Sequence, residues 1–249
     1  MMNNTRTADV TTPFPREGFG DGVEGNKFVF CISDDIRERC PDYTGAAVVA
    51  SVRNTECCEE LWTEIAHFIE EYRSRYTTDS IKLMPSIEAT REMYKRCGKD
   101  PSRYRPSGEA LVRRTLKGND LYRVSTVVDL INLASIAYGY SISGLDADKI
   151  QGDALTLGIG QEGEPYEGIG RGPLNIAGMP VWRDELGGIA TPTSDNVRTK
   201  IDLGTTRLLC IVNGYDGNRN DTLACAQYIQ DLLRRYADSD GGECIVIED

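Results

Sequence analysis

The sequence predicts an α+β fold, and its patterning and composition carry the prediction. Helical apolar spacing dominates residues 55–117, whereas short apolar runs separated by Gly and Pro clusters dominate after residue 118, with no regular strand–helix alternation. A chain of 249 residues, 40% hydrophobic and 27% charged, has the composition of a globular protein and the length to bury one main core.

In chain order, residues 1–26 are polar and rich in Gly, Pro and Thr, which predicts a flexible tail; residues 27–249 are expected to form a single domain. The runs "KFVFCIS" and "AAVVASV" (Ala46 to Val52) read as two early strands, joined by a segment with Asp34, Asp35 and Pro41. After Thr55, the residues Leu61, Ile65, Phe68, Ile69 and Tyr72 fall on one stripe of an amphipathic helix. The stretch "PSIEATREMYKRCG" predicts a shorter helix, with Gly98 placed to close it in the left-handed conformation. "PSGEALVRRTLKG" predicts a third: Pro106 and Ser107 suit its start, Glu109 the positive end of its dipole, and Arg113, Arg114 and Lys117 the other end.

Residues 127–150, "VVDLINLASIAYGYSISGLDADKI", read as an apolar strand, an amphipathic helix and a turn. The runs "LYRVSTVVDL", "ALTLGIG", "MPVWRD", "GGIATP" and "TRLLCIVNGYDG" predict strands, "DTLACAQYIQDLLRRYA" a helix, and "ECIVIED" a strand or extended tail.

Composition narrows the chemistry. No window reaches the roughly 18–20 apolar residues of a membrane span, and the start lacks a basic region followed by an apolar run, so export and membrane insertion are not expected. The eight cysteines contain no Cys-x-x-Cys pair and match no zinc spacing; they read as mostly reduced core residues, which fits a cytoplasmic location. A net charge of −11 disfavours a continuous grip on duplex DNA but leaves room for a local basic patch holding one end of a nucleic acid. His67 is the single histidine and reads as a boundary residue of an amphipathic helix, so neither a metal site nor a cofactor is expected.

Two polar stretches invite a functional reading. The Gly-rich segment 158–172 lacks both phosphate-loop patterns, and Glu162, Glu164 and Glu167 would repel phosphate; a hairpin accounts for it, with Arg171 between Gly170 and Gly172 free to meet an anion or carboxylate. Residues 191–202 bring Ser194, Asp195, Asn196, Arg198, Thr199 and Lys200 onto one loop, readable either as a solvated turn or as a site.

The blocks "PSGEALVRR", "VVDLINLASIAYGYSISGLDADKIQGD" and "GEPYEGIGRGPLNIAGMPVWRDELGGIATPTSDNVRTKIDLGTTRLLCIVNGYD", in that order and spacing, resemble the tRNA-editing domain of the phenylalanyl-tRNA synthetase β subunit. The resemblance runs from Pro106 to Asp216, close to half the chain, and is most specific in Val-Val-Asp-x-x-Asn and Leu-Asp-x-Asp-Lys-Ile. It implies a layered α+β fold with a β-sandwich-like sheet core flanked by helices. It also implies hydrolysis of mischarged aminoacyl-tRNA, here by a free-standing protein acting in trans on the tRNA 3′ end. The family's pocket asparagine falls on Asn132, its preceding threonine on Ile131 and its pocket histidine on Ser143. The acid that recognises the side-chain hydroxyl falls in the 195–197 segment, where Asp195 is the carboxylate. Asn132, Ser143 and Thr199 are then the candidates for ester and water contacts, and Arg123, Arg171, Asp195, Arg198 and Lys200 for substrate binding. Ser143 retains hydrogen bonding but supplies no cationic ring. A non-catalytic binding module for tRNA or an amino-acid-like ligand, and a small-molecule hydrolase, are the alternatives. The oligomeric state is not fixed by the sequence.

Overall fold

A computed structural model describes residues 28–247, so the tail expected over residues 1–26 lies outside the described residues. Its strands form two four-stranded sheets. In the first, β1 (Val29–Ile32) runs parallel to β4 (Ala154–Ile159), which pairs antiparallel with β7 (Pro180–Asp184), and β7 pairs in turn with β8 (Gly187–Ala190). The second is antiparallel throughout, in the order β10 (Glu243–Ile247), β2 (Thr44–Ser51), β9 (Arg207–Gly214), β3 (Ser141–Asp146). The Gly-rich segment supplies a small hairpin of β5 (Glu167–Gly168) and β6 (Gly172–Pro173).

Successive side chains of a strand point to opposite faces, so a strand buried on both sides reads as an unbroken apolar run. In β9, Leu209 and Ile211 join a core shared with Leu155, Leu157 and Val181 of the first sheet, while Leu208, Cys210 and Val212 enter a second core. The two sheets thus face each other across one apolar layer. Trp182 of β7 crosses it, its Nε1 donating to Asn213 Oδ1 at 2.9 Å, which satisfies two polar groups inside an apolar interior.

Helices cover the other face of the second sheet. Ile229 and Leu232 of α6 (Arg219–Tyr236), Leu130 and Leu133 of α5 (Thr126–Tyr138), and Leu61 and Ile65 of α2 (Glu59–Arg75) fill that second core. The order is therefore sheet, sheet, helices, as expected of a layered α+β fold with a sandwich-like core. Asn218 caps α6 by accepting from the Asp221 amide, and Gly98 follows α3 (Pro85–Arg96) at φ +79°, the left-handed turn expected there.

The stretch 127–150 corrects the sequence reading. Residues 126–138 are one helix, α5, and the strand is β3 at 141–146, so helix and strand occur in the reverse of the expected order. The run 121–125 before it is not a strand. Nine of the thirteen residues of α5 are buried, which removes the polar face that marks an amphipathic helix. Its start is fixed by one distant and one local group: the Val127 amide donates to Asn54 Oδ1 at 3.1 Å and the Val124 amide to Asp129 Oδ1 at 3.0 Å. Gly139 ends it at φ +73°. A short helix, α1 (Asp34–Arg39), occupies the segment expected only to join the first two strands.

The start of α4 (Ser107–Leu116) presses on the backbone of Tyr140, just before β3. A Cβ at Gly108 would lie 2.7 Å from the Tyr140 carbonyl oxygen, and the Gly108 amide donates to Ser141 Oγ at 3.2 Å. Gly108→Ala is expected to cost about 1–3 kcal/mol, because backbone must move to admit the methyl group. Urea unfolding at unchanged m reads it as a lowered midpoint.

All eight cysteines are free. Cys40, Cys97, Cys210 and Cys225 are buried, whereas Cys31 and Cys57 are exposed and depart from the expected core placement. Among the described residues no helix is long and apolar enough to cross a membrane, and no group of three or more His, Cys, Asp or Glu is arranged to hold a metal ion.

Candidate functional site at the free edge of the second sheet

β3 is the outer strand of its sheet, and its outward-facing backbone groups need partners. The 191–202 loop supplies them. Asp195 Oδ2 accepts from the Gly144 amide at 3.0 Å, and Lys200 forms an isolated antiparallel bridge with Leu145. Ser143 is buried beside them and donates its hydroxyl to the Asp195 carboxylate. Burial pushes the Asp195 pKa up to about 7, against the opposing pull of the Gly144 amide and the Ser143 hydroxyl. Near neutral pH this carboxyl therefore exchanges a proton, which an ordinary surface aspartate does not.

The loop is held from below by a second network. Tyr166 donates to the Ser194 carbonyl at 2.7 Å, the Thr191 hydroxyl donates to the same oxygen at 2.9 Å, and Asn196 Nδ2 donates to Gly188 O at 3.0 Å. Asn196 also accepts from the Arg198 amide, starting the short 3₁₀ turn Val197–Thr199. Thr199 is fully buried, and its Oγ1 has no hydrogen-bond partner among the described residues. A buried hydroxyl left open in this way costs free energy unless water or a ligand meets it.

Helix α5 reaches the same place from the other side. A Cβ on Gly144 would meet Ile131 Cδ1 at 2.8 Å and Ile201 Cδ1 at 3.0 Å, so the bare backbone of β3 lies under the edge of α5 and the loop. Asn132, the next residue along α5, is half-buried beside Val128 on the outer stripe of that helix.

The candidates thus divide. Ser143, Asp195, Thr199 and Lys200 belong to the one strand-and-loop edge, whereas Asn132 follows Ile131 on α5 but lies on the outer stripe of that helix. Arg171, exposed on the β5–β6 turn, neighbours Ser194, since both line Gly168. Arg198 is otherwise occupied: Nη1 and Nη2 donate to the two oxygens of Asp184 at 2.9 and 2.7 Å, which makes it a clamp for the loop. Arg123 lies apart, paired with Glu59 at 2.7 Å and stacked over Trp62 at 4.7 Å near the start of α5. Glu164, expected to repel phosphate, instead holds Arg183 through two hydrogen bonds of 2.7 Å.

Sequence reasoning passed over Gly144, Ile201 and the Tyr94–Thr193 hydroxyl pair at 2.8 Å, which anchors the loop to α3. Asn213 carried a signal, being the one strongly polar residue in the apolar run "LLCIVNG".

Residues 89–238 match the B3/4 domain. The match spans more than half of the chain, which belongs to that family. The relation to the phenylalanyl-tRNA synthetase β subunit expected from the motifs is thereby supported, over a longer stretch than residues 106–216. Among solved structures, the chain is similar to an N-terminal fragment of the phenylalanyl-tRNA synthetase β subunit from Pyrococcus horikoshii, at 12% identity and a TM-score of 0.48. That similarity covers 92% of this chain and 56% of the fragment, so the chain spans little more than half of the fragment's length. No curated protein matches the chain.

Proposed function

We propose that the protein is a free-standing relative of the synthetase editing domain, acting in the cytosol as one domain over residues 27–249. It binds the aminoacyl end of tRNA and hydrolyses a mischarged ester in trans. The observation that carries this reading is the β3 edge, where a carboxyl titrating near neutrality meets Gly144 and Ser143, on the same loop as Thr199, a buried hydroxyl without a hydrogen-bond partner among the described residues.

The chemistry needs no nucleophile of the protein's own. Asn132 orients the ester or an adenosine hydroxyl through its amide. Thr199 Oγ1 holds a water or an ester oxygen, and meeting it relieves the burial of an unpaired hydroxyl. Asp195 reads the polar end of the amino-acid side chain, held in place by Gly144 and Ser143. An aspartate is one methylene shorter than a glutamate, so the accepted side chain differs from that of a site built on glutamate.

Incubation with a panel of mischarged tRNAs tests the reading. Ester loss is expected for at least one of them, and Asn132→Ala is expected to slow it about 10- to 100-fold, the cost of one oriented hydrogen bond in a transition state. Esters that all survive would refute hydrolysis. Measurable tRNA binding in that case favours the second reading, a non-catalytic binding module. The observation on its side is that Ser143, at the position of the family's histidine, spends its hydroxyl on Asp195.

A further inference from the structure

The chain carries a net −11, yet residues 91–117 hold nine basic residues against three acidic ones. This local reversal has a defined centre. Glu109, on the first turn of α4, is 1% exposed and lies at the focus of three guanidinium groups. Arg91 Nη1 contacts it at 2.8 Å, Arg113 Nη2 at 3.0 Å and Arg105 Nε at 3.5 Å. One carboxylate balances one of three charges, leaving two positive charges in excess.

The excess has unused donors. The Arg105 side chain makes no hydrogen bond among the described residues: its buried Nε faces Glu109 at ion-pair distance only, and its Nη atoms have no acceptor. Guanidinium donors in a fixed fork match phosphate oxygens, and an anion would supply the missing acceptors. The three side chains remain between 27% and 40% exposed, so a ligand can reach them.

The position matters as much as the charge. The Ser107 amide donates to Pro192 O at 2.7 Å, and Thr193 Oγ1 donates to Tyr104 O at 2.8 Å. The segment bearing Arg105 is therefore hydrogen-bonded directly to the loop that carries Asp195. The arginine cluster is thus tied by two hydrogen bonds to the loop of the β3 edge.

We infer that Arg91, Arg105 and Arg113, preset by Glu109, form a phosphate-binding site for the backbone of the RNA whose terminus occupies the β3 edge. This rests on the proposed function and adds a second contact to it. Glu109 is a positioning residue that holds two guanidiniums in place and sets the spacing of the third.

Arg105→Ala tests the inference, because that side chain gives up no hydrogen bond on removal. With uncharged tRNA titrated across a salt series, the substitution is expected to weaken binding roughly five-fold and to reduce the slope of log K against log salt by about one. Arg105→Lys is expected to restore most of the slope. Hydrolysis of a phosphate-free aminoacyl-adenosine ester is expected to stay at the parent rate. An unchanged slope in Arg105→Ala would overturn the phosphate site, and if the parent still hydrolyses mischarged tRNA, the proposed function survives. Ester hydrolysis that falls in step with tRNA binding would also overturn it, by marking a structural defect. A parent protein that neither binds nor hydrolyses any tRNA overturns both.

Discussion

Arg198→Met is expected to destabilise the protein by about 3–5 kcal/mol, the range for stranding one member of a buried ion pair. Asp184 has a fully buried side chain, and its carboxylate also accepts from the Gln151 and Leu186 amides at 2.9 and 3.0 Å. Burial works against its ionisation, but the Arg198 hydrogen bonds and these two amides together hold its pKa below the ordinary value. Without Arg198 the charge has lost its cation while the water that would replace it is still excluded. Because the folded pKa is depressed, the stability contributed by Asp184 is present at neutral pH and is lost as pH falls through the folded value. Denaturant unfolding at pH 7 measures the effect. The double variant Asp184→Asn/Arg198→Met is expected to recover part of the loss, as a removed pair costs less than a broken one. A loss below about 1 kcal/mol in Arg198→Met would mean that the pair does not hold the loop.

The second large effect is a gain. Asp195 carries a pKa raised from 3.8 to about 7, so between those values the folded protein retains a proton that the unfolded chain releases. Unfolding then releases a proton, and stability falls as pH rises through this window. A shift of that size corresponds to about 4 kcal/mol at most, and roughly 1–3 kcal/mol is a fair expectation where solvent reaches part of the side chain. Asp195→Asn keeps an oxygen to accept from the Gly144 amide but never ionises. It is therefore expected to match the parent protein in acid and to exceed it in stability above neutral pH. Thermal unfolding across the range checks this: a difference that does not grow with pH would show that Asp195 titrates like an ordinary aspartate. Under the proposed function the same substitution changes which mischarged side chain is accepted, so stability and selectivity separate in one variant.

The α+β class was legible from the sequence because its signals are local, whereas the layering was an implication of the family resemblance. The apolar stripe of α2 and the runs of β4, β7, β8 and β9 declare their periods within a few residues. α5 was misread because it is buried on almost every side, so a run such as Val127–Val128 surrounded by apolar neighbours fits strand and helix equally. What decides it is Asn54, more than seventy residues earlier, which no window contains. The site divides in the same way. The polar density of residues 191–202 marked the loop, but the partners of its charges were invisible. Arg198 finds Asp184 and Asp195 finds Gly144 only after β3, β7 and the loop have converged. Burial, which gives Asp195 its unusual acidity, is likewise a property of the assembled molecule. The basic segment 91–117, running from α3 through α4, was open to counting, yet the whole-chain charge of −11 concealed it.

The strand order has a consequence for how the molecule is made. Val29 of β1 pairs with Ala154, and β2 is flanked by β9 and β10, so each early strand waits for partners from the far half of the polypeptide. Closing such long loops precedes any reward from the contacts they bring, which slows folding. While the ribosome is still adding the second half, β2 has both edges open and its apolar faces bare, a state prone to association with other nascent chains. Protection of the nascent chain during synthesis is therefore expected to raise the yield of folded protein.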